Sequence, residues 1–95
     1  MQLITDIFHQ KSDTLFTYLK NGGDPNRCED ALGVTLLHHA VYAKNYAALE
    51  MLIFWGANPY LPEKIFNMTP YDLAIDIAWI PGITLFTSNR NATKH

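Results

Sequence analysis

The sequence predicts an all-α protein built from stacked helix–turn–helix units, and three observations support this prediction. Related segments recur with one period: Thr35 and Thr69 lie 34 positions apart, and so do Ala40 and Ala74. Apolar residues recur at spacings of three and four, as on one face of a helix. Glycines and prolines separate the helix pairs, where they favour turns. A period of this length is typical of a repeat protein.

The middle segment carries the repeated pattern most completely. It begins Gly33-Val-Thr-Leu-Leu-His-His-Ala40, continues through the apolar residues 46–53 and ends with Gly56-Ala57-Asn58. A threonine helix start followed by His-x-Ala, with a Gly-Ala-Asn helix end, resembles the ankyrin family. Leu36 departs from the family pattern, which usually has proline there. The resemblance covers nearly the whole chain and implies an ankyrin-repeat solenoid of helix pairs joined by hairpin-like loops.

The helical periodicity and the turn residues define the expected elements. We expect helices at about 2–9, 13–21, 36–43, 46–54 and 70–78. Ser12 is a candidate N-cap for the second of these, whose Leu15, Phe16 and Leu19 are expected to face inward. Pro81-Gly82 is expected to interrupt the third repeat and to leave only a short final helix.

We predict one domain over residues 1–89 and a polar, disordered tail over 90–95. The repeats are expected at about 1–29, 30–63 and 64–89, and the first is expected to begin directly at its first helix. The chain is short, so a stacked arrangement in which each repeat covers the apolar face of its neighbour suits its length.

Composition narrows the class of partner. Apolar residues make up 48% of the chain, and the formal charge is −2, from 7 basic and 9 acidic residues that are scattered along the sequence. Nucleic acid and anionic membrane both attract concentrated positive charge, so neither is an expected partner. Cys28 is the one cysteine, and the first ten residues do not resemble a secretory leader. These two features favour a reducing, cytoplasmic location.

The sequence offers no catalytic or metal-ligating spacing that predicts an enzyme. His38 and His39 are adjacent, so on a helix they point about 100° apart and do not chelate one metal as an i, i+4 pair does. By resemblance, His38 is the structural histidine that hydrogen-bonds loop backbone, and Asp72 occupies the equivalent position in the third repeat. His39 is either a packing residue or a surface residue, and Cys28 is an ordinary loop cysteine. We therefore expect no catalytic residue, no metal and no cofactor, and keep a small metal or hydrolytic enzyme using His38, His39 and Asp72 as the less favoured alternative.

The resemblance also implies a structural role for one set of residues and a partner-binding role for another. The scaffold residues it implies are Gly33, Thr35, His38, Ala40, Gly56, Thr69 and Pro70. Partners of ankyrin repeats usually bind the concave side, formed by loop tips and by the exposed face of each first helix. Carried over by position, the partner-binding residues are Leu32, Val34, Tyr42, Ile65, Phe66, Met68 and Asp76.

The function that follows is a non-catalytic module that binds another protein. One alternative is an inhibitor, for example an immunity or antitoxin-type protein that blocks a toxin or enzyme. A second is self-association through unsealed terminal repeats. In a third interpretation, several of the apolar residues named above cover the ends of the stack and bind no partner.

Overall fold

The computed structural model describes residues 2–28 and 31–92, and this part of the chain folds into six helices without a regular strand. Their bounds are α1 Gln2–Phe8, α2 Asp13–Lys20, α3 Leu36–Tyr42, α4 Tyr46–Phe54, α5 Pro70–Asp76 and α6 Ile80–Ala92. The first helices of the three pairs, α1, α3 and α5, pack side by side in that order, and α4 packs against α6. The predicted all-α stack of helix pairs is confirmed.

The first helices of the second and third pairs begin with the same hydrogen-bonded device. The Thr35 hydroxyl accepts the backbone N–H of His38, and the His38 ring accepts the backbone N–H of Thr35 at 3.0 Å. Thr69 and Asp72 make the same reciprocal pair, with Asp72 accepting the Thr69 N–H at 3.2 Å. Each pair satisfies two backbone donors that a helix start leaves without intrahelical partners. The two threonines therefore fix where α3 and α5 begin.

One apolar core runs through the stack. Its fully buried members come from all three repeats, which is expected when each repeat covers the next. They include Ile7, Leu15, Leu19, Leu37, Val41, Leu49, Leu52, Leu73, Ala74 and Phe86. Trp79 is also buried, and its indole packs over Gly82, where an added Cβ would lie 2.5 Å from the ring. Trp79 therefore seals the third repeat from within and does not extend its surface.

The prediction of a short final helix is wrong. Helix α6 is the longest helix in the described part of the chain, with 13 residues, and it includes Pro81 and Gly82. Pro81 lies in the first turn, where the missing N–H has no intrahelical acceptor to lose. Gly82 is accommodated because the Trp79 ring occupies the space of a side chain. The Pro-Gly pair therefore starts the helix and does not interrupt it.

Two further details of the first repeat differ from expectation. Phe16 was expected to face inward, but its side chain is 46% exposed because it lies on the outer side of α2. Ser12 does precede α2 as predicted, but its side chain makes no capping hydrogen bond. The burial of α2 rests instead on Leu15 and Leu19.

Some of the predicted domain and repeat limits fall on residues that the structure does not describe. The boundary between the first two repeats falls on residues 29–30, and the last three residues of the predicted tail are 93–95; both lie outside the described residues. Residues 90–92, which were assigned to the tail, belong to α6. The single-domain limits themselves stay a prediction.

Candidate functional site

The loop between α4 and α5 is organised by one buried carboxylate. Both Glu63 carboxylate oxygens face the loop, where they accept the backbone N–H groups of Ile65 at 2.6 Å, Phe66 at 3.1 Å and Met68 at 2.9 Å. The Glu63 backbone N–H also donates to the Met68 carbonyl oxygen at 2.9 Å. The side chain and backbone of one residue thus close residues 63–68 into a compact turn.

The electrostatics of this turn favour the ionised carboxylate. The backbone N–H of Met68, together with those of Phe66 and Ile65, holds the pKa of the Glu63 carboxyl below its usual value, although burial opposes this shift. Hydrogen bonds to a charged acceptor are stronger than those to a neutral one. The loop tip is therefore most tightly held when Glu63 is ionised, as it is at neutral pH.

His38 joins this loop to helix α3. Its ring Nδ1 accepts the Thr35 N–H, so in the neutral ring the proton resides on Nε2, which donates to the Met68 carbonyl oxygen at 2.8 Å. Burial lowers the pKa of His38, while the Met68 carbonyl and the charge of Glu63 partly oppose that shift. A protonated ring would direct an Nδ1–H towards the Thr35 N–H and lose that hydrogen bond. The neutral ring is therefore the form that fits this site.

The two long loops meet beside this junction. The Lys64 N–H donates to the Leu32 carbonyl oxygen at 2.7 Å. Gly33 has a φ of +76° and lies beside the second loop, where an added Cβ would be in ordinary contact with the Pro62 carbonyl oxygen at 3.6 Å. Left-handed backbone of this kind favours glycine. The hydrogen bond holds the tip of the first loop next to the tip of the second.

The predicted partner-binding residues fall into two groups. Leu32, Ile65 and Phe66 are exposed at the paired loop tips, whereas Val34 and Met68 are half-buried, and Met68 packs against the core. Tyr42 and Asp76 are exposed at the far ends of α3 and α5. A helix rises 1.5 Å per residue, so Tyr42 lies about 10 Å along the axis from the Thr35 cap.

The second group forms a row across the stack. Phe8, Tyr42 and Asp76 are spaced 34 residues apart, so each takes the same place in its own first helix, and all three are exposed. The Phe8 ring also meets the ring of His39 edge-on, with 5.8 Å between centroids. His39 is thus partly buried and in contact with the neighbouring repeat.

The described residues do not assemble a metal site. Across residues 2–28 and 31–92, no group of three or more His, Cys, Asp or Glu side chains is placed to hold a metal ion. Both ring nitrogens of His38 are engaged by backbone groups, and Asp72 is engaged in the cap of α5. Cys28 is exposed as a free thiol. In the same part of the chain, no helix is long and apolar enough to span a membrane.

Sequence reasoning missed Glu63 and Asn45. Asn45 is buried before α4: its side-chain oxygen accepts the Ala48 N–H, and its amide donates to the Ile7 carbonyl oxygen at 3.1 Å. An Asn directly before an apolar helical run is a recognisable cap signal. Glu63 carries no such signal, because a glutamate beside Pro62 and Lys64 reads as an ordinary surface residue.

The comparisons with known proteins agree with this geometry. Residues 9–53 match the family model described as ankyrin repeats (many copies). This match identifies ankyrin repeats within residues 9–53. Ankyrin repeats are generally protein–protein interaction modules, and the family is generally non-catalytic.

One similar protein is the mouse (Mus musculus) 2-5A-dependent ribonuclease, which is 39% identical over 56 residues. The matched segment covers 59% of this ankyrin-repeat chain and only 8% of the mouse protein. The likeness therefore concerns a short segment of that relative.

Proposed function

We propose that this ankyrin-repeat chain binds another protein through its paired loop tips and the exposed row of its first helices. One observation carries the proposal: Phe66 is 70% exposed at a loop tip whose backbone Glu63 holds at residues 65, 66 and 68. A large apolar side chain on a rigid, exposed loop costs solubility unless a partner covers it. The arrangement therefore favours a binding role for the tip.

Rigidity of the loop adds to the expected affinity. A flexible loop loses conformational freedom when it binds, and that loss subtracts from the binding free energy. The Glu63 hydrogen bonds fix the turn before a partner arrives. Phe66 and Ile65, with Leu32 beside them, are the anchors we expect at this end, and Tyr42 is the anchor at the helix end. Val34, Met68 and Asp76 complete the surface, with Met68 contributing less because it also packs against the core.

The proposed mechanism is occupancy without catalysis. The two histidines and Asp72 of the enzyme alternative serve the scaffold here: His38 and Asp72 bond backbone groups at helix starts, and His39 packs against Phe8. We place this activity in the cytoplasm, where a chain with one exposed thiol keeps it reduced.

Capture with matched variants tests the proposal. Three tagged proteins are used to capture a partner: the wild-type chain, the double variant Tyr42→Ala/Phe66→Ala, and Phe54→Ala. The stoichiometry and the affinity of the captured partner are compared among them. Phe54 is the control because it is also an exposed aromatic residue, 82% exposed, but lies on the outer helix α4. We expect the double variant to weaken binding by roughly 30-fold or more, since an aromatic anchor contributes about 2 kcal/mol, and Phe54→Ala to bind normally. Equal binding by all three would overturn the assignment.

Glu63→Gln tests the rigid presentation separately. The variant keeps Phe66 but replaces one acceptor oxygen with an amide that faces backbone donors, so the turn should loosen. We expect faster hydrogen exchange at the Phe66 and Met68 amides and weaker partner binding, with Lys64→Gln as the exposed neighbouring control. If the captured partner is an enzyme, its activity with one equivalent of this chain tests the inhibitor alternative.

A further inference from the structure

A groove opens between the second helices of the first two repeats. Helix α4 packs against α6, whereas α2 and α4 make much less contact with each other. The space between α2 and α4 has a volume of about 520 Å³. The residues that line it are Phe16, Ala47, Glu50, Met51, Phe54 and Trp55. Sites for small molecules have volumes of roughly 300–1,000 Å³, so the groove has the size of a small-molecule site.

Helix α4 forms most of the wall, and it is apolar on all sides. Within Tyr46–Phe54, Glu50 is the one charged residue. A helix that is apolar all round is normally buried on all sides. Leu49 and Leu52 are fully buried in the core, but Phe54 is 82% exposed. The core therefore does not account for the apolar residues on the groove side of α4, and this side lies between two neighbouring repeats and not at an end of the stack.

Three aromatic rings give the groove an affinity for positive charge. Phe16, Phe54 and Trp55 line it, and the rings of Phe54 and Trp55 meet edge-on with 6.1 Å between centroids. The face of an aromatic ring attracts a cation within about 6 Å, and tryptophan does so most strongly. The ammonium group of Lys20 already stands 5.9 Å from the centre of the Phe16 ring. A cation can therefore approach a ring of this wall.

The charge of the groove comes from Glu50. It is the one charged side chain among the lining residues. Asp13 and Lys20 are exposed about one turn to either side of Phe16 on α2, and their opposite charges offset each other. A carboxylate beside aromatic faces attracts a cation and repels an anion. Charge and apolar surface thus occur together in one groove.

We propose that this groove binds a small organic cation, an amine or quaternary ammonium compound with an apolar body. The apolar body packs against Ala47 and Met51, and the positive group lies between the Glu50 carboxylate and the aromatic rings. A neutral molecule of the same shape gains the apolar contacts alone, and an anion is also repelled by Glu50. The site is separate from the proposed partner surface, which lies on the loop tips and the first helices.

Titration of the full chain with three probes of similar shape tests the proposal. Naphthylmethylammonium is a cation, naphthylmethanol is neutral and naphthoate is an anion. Two-dimensional NMR follows the backbone N–H of Glu50 and Phe54 and the indole N–H of Trp55. We expect the cation to bind roughly 5-fold more tightly than the neutral probe, as for one exposed contact between a cation and an aromatic ring. The anion should bind most weakly.

Four exposed residues provide variants that separate charge from apolar contact. Glu50→Gln should weaken binding of the cation by roughly 3-fold and leave the neutral probe unchanged. Asp76→Asn is its matched control, because it removes the same charge from an exposed residue of α5 outside the groove. Lys20→Gln should strengthen binding of the cation, because it removes a like charge. Phe54→Leu keeps an apolar side chain without a ring and should reduce the preference for the cation over the neutral probe.

Several results would overturn the proposal. These are equal binding of the three probes, no saturable shift in the groove up to about 5 mM cation, and equal effects of Glu50→Gln and Asp76→Asn. Groove signals that shift with protein concentration before any probe is added would show instead that a second copy of the chain covers the groove. Far-UV circular dichroism checks that each variant is folded. The Tyr42→Ala/Phe66→Ala variant should bind the cation normally, so the two proposed sites can fail independently.

Discussion

Replacing His38 with alanine should destabilise the protein far more than its position on a short helix suggests. The substitution removes the acceptor of the Thr35 N–H, at 3.0 Å, and the donor to the Met68 carbonyl oxygen, at 2.8 Å. His38 and Thr35 are buried, and a buried polar group left without a partner costs about 1–3 kcal/mol. The Thr35 N–H is left without this acceptor, whereas the Met68 carbonyl oxygen keeps the backbone N–H of Glu63. We therefore expect the free energy of unfolding to fall by about 2–3 kcal/mol, which for a domain of this size corresponds to roughly 8–24 °C in Tm.

Urea denaturation followed by far-UV circular dichroism at pH 7.5 measures this loss. The matched control is His9→Ala, because His9 is exposed and its removal should change stability by less than about 0.5 kcal/mol. The midpoint of His38→Ala should fall while the slope of free energy against urea stays the same. If the two variants lose the same stability, the structural role of His38 is refuted. A specific activity lost by His38→Ala without any loss of stability would favour the enzyme alternative.

Three further predictions concern the scaffold. Stability should fall as the pH decreases below about 6.5, because burial lowers the pKa of His38 in the folded chain and the unfolded chain binds a proton there first. Urea midpoints measured against pH check this. The His38→Ala variant should lose this pH dependence. Gly56→Ala should lower the free energy of unfolding by about 1 kcal/mol, because φ is +94° there and the added methyl group meets open space, so that only backbone strain acts. Lys44→Gly should raise the free energy of unfolding by up to about 1 kcal/mol, because φ is 53° at that non-glycine residue. Thermal unfolding measures both. Asn45→Ala should cost about 2–3 kcal/mol in urea unfolding, because it removes both the cap of α4 and the bond to Ile7.

A second titratable group, Glu63, should make the stability of the protein depend on pH in a more acidic range. Because backbone donors lower the pKa of Glu63, its stabilising contribution is present above about 4.5 and is lost as the pH falls through its folded-state pKa. Glu63→Gln should reduce the loss of stability in this more acidic range and leave the range governed by His38 unchanged. Hydrogen exchange at the Phe66 amide, measured across both ranges, distinguishes loosening of the loop tip from global unfolding.

Local signals made much of the fold predictable. Thr35 and Thr69 mark the starts of α3 and α5 because capping acts through residues only three positions away. The bounds of α4 at 46–54 follow from an apolar run that ends before Gly56. The period of 34 residues then places each helix pair beside the next, since neighbouring repeats bury the same positions. No distant contact had to be known for any of these predictions.

The features that were missed depend on contacts that the sequence does not display. Pro81-Gly82 alone indicates a break, and only the Trp79 ring packed over Gly82 shows why a helix begins there. Phe16 has the spacing of a core residue, but the space between α2 and α4 is left open as a groove. Glu63 has no signature because its role arises from a turn that its own carboxylate creates.

The backbone of Met68 links the scaffold to the proposed binding surface. Its carbonyl oxygen accepts both the Nε2–H of His38 and the backbone N–H of Glu63, and its own N–H donates to the Glu63 carboxylate. The histidine that fixes α3 therefore also holds the turn that presents Phe66. Removing the His38 ring should loosen that turn even where the rest of the stack stays folded, because it breaks the contact between the loop and α3. On the proposed function, His38→Ala should therefore also weaken partner binding through its effect on Met68.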